Sequence, residues 1–80
     1  MEEVWSDKAQ VTRYVRRYVF DGIIWHLSAG ATLNKAVAQG KQWSCTTPDD
    51  QTILDTKTGT IIGVYRNGYL HQNAEHPVQS

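Results

Sequence analysis

From Pro48 onward the chain is broken at near-regular intervals by residues that favour reversal: Pro48-Asp49-Asp50, Thr56-Lys57-Thr58-Gly59 and Asn67-Gly68. Around them lie short runs rich in Thr, Ile, Val, Tyr and, ahead of Pro48, Trp, the side chains that pack well on a pleated surface. Runs this short, joined by turns this tight, have room for neighbouring antiparallel strands and little else. The spacing predicts a meander with strands near 43–47, 52–55, 60–66 and 69–72. Asn67-Gly68 suits a type I′ hairpin turn, in which both central residues take positive φ.

The first part of the chain is harder to assign, because two periods compete over residues 11–20. Val11, Tyr14, Val15, Tyr18 and Val19 fall at i, i+3, i+4, i+7 and i+8, the stripe of an amphipathic helix. Asp7 is placed to cap it with Gln10 reaching back, and Gly22 is placed just beyond its end. Against this, Val11, Thr12, Tyr14, Val15, Tyr18, Val19 and Phe20 all favour strands. Asp21-Gly22 is also a strong hairpin turn, one that would pair Phe20 with Ile23 and Tyr18 with Trp25. The helix is favoured, because the apolar pattern and both end signals agree on it.

Ile23 to Ser28 reads as a strand. Ala29-Gly30 then leads to a short helix capped by Thr32 and ended by Gly40, with Leu33, Ala36 and Val37 on its buried face. The expected fold is one small α+β domain over residues 1–80: an antiparallel meander of four to five short strands packed with one or two helices, with 73–80 as a flexible tail.

Eighty residues support one core, and Cys45, the only cysteine, excludes an internal disulfide. Stability must then come from packing or from self-association, so a homodimer is a possible state. Eight basic side chains balance eight acidic ones, so a surface built for the phosphate backbone would have to be local. The longest apolar run, Ile23-Ile24-Trp25, is far too short for a membrane span, and Glu2 and Glu3 stand where a signal peptide would be basic. A cytoplasmic location, with no membrane partner, is expected.

No constellation of residues announces chemistry. His71 and His76 with Cys45 match no compact zinc spacing, so neither metal nor cofactor is expected. Cys45 with His26 or His71 is a weak nucleophile–base pair, since a lone cysteine in a strand is usually an inert buried one. Thr56 to Gly59 lacks the upstream glycine and the following helix of a phosphate loop. Trp5, Trp25 and Trp43 are expected mostly in the core.

What stands out is arginine beside aromatics, since residues 13–20 gather three of the four arginines and three of the eight aromatics. As a helix this stretch places Arg13, Arg16, Arg17 and Phe20 on the arc opposite the valine and tyrosine stripe, an exposed phenylalanine ringed by arginines. As a strand it aligns Tyr14, Arg16, Tyr18 and Phe20 on one face, a platform on which bases could stack. Asp49, Asp50 and Asp55 form a secondary acidic patch suited to a basic partner. The expected function is non-enzymatic. By analogy of size and composition, the chain reads as a small protein-binding module that inhibits or regulates a larger bacterial or phage complex, such as a host defence or nucleic-acid-processing machine. The alternative is RNA or single-stranded DNA binding through residues 13–20.

Overall fold

The computed structural model describes residues 2–72. Six strands and one helix follow in the order β1 (Glu2–Trp5), β2 (Tyr14–Phe20), β3 (Ile23–Gly30), α1 (Leu33–Thr46), β4 (Gln51–Asp55), β5 (Thr60–Arg66) and β6 (Tyr69–Gln72). The strands form one sheet in the order β1-β3-β2-β4-β5-β6, and α1 packs across one face of it. The α+β class and the last three strands agree with expectation. The sheet is larger than a four- to five-stranded meander and is mixed, because β1 pairs with β3 in parallel. The expected tail at 73–80 lies outside the described residues.

Residues 14–20 form a strand, which overturns the helix favoured for 11–20. Asp21 (φ 55°) and Gly22 (φ 75°) both lie in the left-handed region that a type I′ turn requires. That turn closes β2 on β3 in the register Phe20↔Ile23 and Tyr18↔Trp25. The helical period loses because β2 is a central strand, with β3 on one side and β4 on the other, and β-branched and aromatic side chains are favoured between two such neighbours. Only one helix-like turn survives upstream. Ser6, not Asp7, caps it by accepting from the Ala9 amide at 3.1 Å, and Gln10 N–H bonds Ser6 C=O. This turn buries Ala9 and is tied to β3 where Ser28 donates to Thr12 Oγ1.

Thr32 caps α1, its hydroxyl accepting from the Lys35 amide. The helix does not stop at Gly40. It runs to Thr46, taking in all but the last residue of the 43–47 segment expected as a strand, and ends where Thr47 precedes Pro48 and turns to extended φ and ψ. Gly40 therefore has a packing role. Ala36, Gly40 and Ser44 recur every four residues and form the buried stripe of α1, which brings the helix close against Ile53 of β4 and Tyr65 of β5. Leu33, expected in the core, is instead exposed: it is the first residue of the helix, one turn ahead of the buried Ala36. The core is Tyr14, Ala29, Ala36, Ile53 and Tyr65, with Val37 and Ile62 packed against it.

A β-carbon at Gly40 would lie 2.8 Å from Tyr65 Cδ2 and 2.9 Å from Ile53 Cγ1, both on buried side chains. Alanine improves helix propensity by roughly 1 kcal/mol. Overpacking at such a contact costs about 1–3 kcal/mol, however. Gly40→Ala is expected to leave the domain no more stable, and by the upper figure about 2 kcal/mol less stable, in urea unfolding. A clear gain in stability would show that the helix can move off the sheet freely.

A groove between the hairpin and the helix end

The alternation of β2 settles which of its side chains share a face. Tyr14, Arg16, Tyr18 and Phe20 lie on the side covered by α1, since Arg16 reaches Trp43 of the helix, while Val15, Arg17 and Val19 lie on the other. Cover fades along the first set: Tyr14 and Arg16 are buried, Tyr18 is half-buried and Phe20 is 59% exposed. The reason is topological. Pairing of β2 with β4 ends at Arg17↔Thr52, but pairing with β3 runs on to Phe20↔Ile23, so the hairpin projects beyond β4. At this end a groove of about 440 Å³ opens between β2 and the end of α1, lined by Arg16, Tyr18, Phe20, Leu27, Trp43 and the 46–49 segment.

Arg16 sits at the buried base of this groove and is only 5% exposed. Its guanidinium lies 4.5 Å from the ring centroid of Trp43 and 5.2 Å from that of Tyr18, so two aromatic faces supply part of what water would have given the cation. One nitrogen, Nη1, donates to Gln51 Oε1 at 2.8 Å, and Nε is buried with no partner. Gln51 is held in turn, its Nε2 donating to Thr47 Oγ1 at 3.2 Å, while Thr47 Oγ1 donates to Trp43 C=O at 2.9 Å. This chain of bonds fixes the amide so that its oxygen faces Arg16. Burial pushes the Arg16 guanidinium below its ordinary pKa, with the Tyr18 hydroxyl acting weakly the other way.

The expected ring of arginines around Phe20 does not form. With a repeat of two, Arg16 and Phe20 share the helix-covered face and Arg17 falls on the opposite one. There Arg17 lines a second hollow of about 460 Å³ with Val19, Asp49, Asp50 and Thr52. The acidic residues are divided as well. Asp50 precedes β4 and Asp55 ends it, so they are separated by roughly 17 Å of strand. Asp50 accepts from Arg66 Nε and Nη2 at 2.7 and 2.8 Å, whereas Asp55 faces Arg13.

Several groove residues escaped the sequence. Trp43, Thr46 and Thr47 follow helical spacing, a signal hidden by taking Gly40 as a terminator. Trp5 and Trp43, expected in the core, are each 40% exposed. Trp5 stacks on buried His26 at 3.9 Å on the face of the sheet away from α1, and Trp43 finds its hydrogen-bond acceptor in Gln39. Cys45 is exposed on α1, not buried in a strand, and His26 is on the opposite side of the sheet from it. Among the described residues no three His, Cys, Asp or Glu side chains gather as metal ligands, and no helix is long and apolar enough to cross a membrane. The chain matches no family model, no curated protein and no solved structure.

Arg13, the remaining candidate, precedes β2 and is committed to Asp55: Nε donates to Oδ1 at 3.2 Å and Nη2 to Oδ2 at 3.0 Å. Asp55 Oδ1 also accepts from the Lys57 amide in the following turn. The hydrogen bonds from Arg13 hold the Asp55 carboxyl below its usual pKa against the opposing effect of burial, with the Lys57 amide helping. A carboxyl with a lowered folded pKa stabilises the fold above its unfolded value and ceases to do so as pH falls through the folded one. Asp55→Asn keeps an oxygen for Lys57 but removes the charge. It is expected to be less stable than wild type in urea at pH 7, with the gap closing below about pH 4. A gap that is the same at pH 7 and pH 3 would show that the ion pair contributes nothing.

Proposed function

We propose that this domain is a non-enzymatic protein-binding module that acts by occupying a surface of a larger protein, as an inhibitor or regulator of a complex. The supporting observation is the groove itself. It brings an arginine, a tyrosine and a tryptophan, the residue types that dominate interface hot spots, together with exposed Phe20. Its rim of Phe20 and Trp43 is apolar and reachable, its base is polar and held by hydrogen bonds, and its size suits a few side chains of a partner. That the target is a bacterial or phage complex rests on the analogy of size and composition alone.

Nucleic acid binding through residues 13–20 is the weaker reading. Two of the four arginines, Arg13 and Arg66, are neutralised by Asp55 and Asp50, and Arg16 is buried where a phosphate backbone would not reach it. Tyr14, one of the three aromatics of the stacking platform, is in the core.

Phe20→Ala combined with Trp43→Ala is expected to keep the far-UV circular dichroism spectrum of the fold and to lose the partner. Truncating hot-spot side chains costs about 2 kcal/mol or more, roughly a 30-fold loss of affinity. Affinity capture from lysate treated with nuclease, using wild type and variant side by side, makes the comparison. A stoichiometric protein retained by wild type and lost by the variant supports the module. A protein retained equally by both moves the contact elsewhere, and binding that vanishes with nuclease favours the nucleic acid reading.

A further inference from the structure

We propose that the groove receives an Asp or Glu side chain of the partner protein, whose carboxylate supplies the charge partner that Arg16 lacks. This rests on the protein-binding reading and adds the chemistry of what is bound. A buried cation is costly unless it is paired, and Arg16 has only a neutral amide oxygen and two aromatic rings. Among the described residues no carboxylate lies within ion-pair distance of it. Arg13 and Arg66 show how the same side chain is otherwise satisfied in this domain: each presents its Nε and Nη2 edge to both oxygens of an aspartate. On Arg16 Nη1 is taken by Gln51, and the buried Nε has no acceptor, so the cation's only polar partner is a neutral amide.

The shape of the site sets the rest. Arg16 forms the base, while Phe20 and Trp43 stand exposed at the rim. A partner backbone can therefore run outside, over the aromatics, and send one side chain inward. Carboxylate fits better than phosphate, because one guanidinium faces one negative charge and Asp49, which also lines the groove, would oppose a dianion. An apolar neighbour of that acidic residue would rest on Phe20 and Trp43.

A library of random linear peptides displayed on phage, selected on the immobilised domain, supplies the probe. The expected product is a set of peptides with Asp or Glu at fixed spacing from an apolar residue. Changing that acid to its amide should weaken binding about tenfold or more on wild type, the size of a charge-assisted hydrogen bond, and less than about twofold on Arg16→Met. Arg16→Met should match or exceed wild type in thermal unfolding, since a buried charge has been replaced by an apolar side chain. If Arg16→Met does not fold, Arg16→Gln, which removes the charge but keeps a donor for Gln51, carries the same comparison.

Selected peptides without an acid, or an equal loss on both proteins, would overturn the carboxylate while leaving the protein-binding module in place. Failure to select any peptide that wild type holds better than the Phe20→Ala/Trp43→Ala variant would overturn this proposal. Only a wild-type domain that also captures no protein from nuclease-treated lysate would remove the module itself.

Discussion

The close contact of α1 with the sheet at Gly40 is the constraint from which the rest of the domain follows. One helix of 14 residues, about 21 Å long, has to cover a six-stranded sheet that is about 24 Å across. It does so by lying low. With only Ala36, Gly40 and Ser44 between helix backbone and sheet, Ile53 and Tyr65 are sealed directly beneath it. The bulk excluded from the stripe reappears on its flanks, as Val37 packed toward the core and as Trp43 reaching toward Arg16. Ser44 completes the arrangement by accepting from the Gly68 amide, which fastens the β5–β6 turn to the end of the helix. A helix seated this low cannot also shield the tip of the β2–β3 hairpin, and the groove is the space that remains.

The electrostatics of the domain follow a similar division. Zero net charge at the level of the whole chain conceals two different local solutions for arginine. Arg13 and Arg66 are each held edge-on by an aspartate, the first by the buried Asp55 and the second by Asp50 at the surface, and both pairings keep a cation from acting at long range. Arg16 alone is desolvated without a counter-charge. Buried groups left in that condition are costly to a small domain whose total stability is only a few kcal/mol, so they are expected where function gives a return.

How much of this could be read from the sequence depended on how local the deciding interactions were. Strands β4, β5 and β6 were legible because their turns carry their own instructions: Asn67 (φ 55°) and Gly68 (φ 85°) adopt the conformation their side chains favour. Thr32 as a cap was legible for the same reason. The β2–β3 hairpin was visible only as an alternative, since its residues satisfy a helical period as well as a strand propensity, and what decides between them is the presence of β4 as a second neighbour. Gly40 misled because glycine serves both as a helix terminator and as a point of close approach, and only the position of Ile53 and Tyr65 distinguishes the two. That one residue hid Trp43 and with it the groove. Strand β1 gave no signal, because parallel pairing to β3 leaves no turn in the sequence to mark it.

The pairing of β2 with β3 is irregular between Tyr14 and Val15, where the partners step from Gly30 to Ser28 and Ala29 is the extra residue. Downstream of this point the sides of the sheet are fixed for every residue of β2. Arg16 and Arg17 are neighbours in sequence and identical in chemistry, yet one is enclosed between aromatic rings and the other lines a hollow on the opposite face. Their difference is therefore one of parity. A single inserted residue in β2 ahead of Arg16, absorbed without moving the hairpin turn, would leave β2 from Arg16 onward as it is; the same insertion between Arg17 and Tyr18, with the upstream register held, would turn Tyr18 and Phe20 over to the other face. The length of the strand between the irregularity and the turn thus sets which side of the sheet carries the aromatic tip of the hairpin.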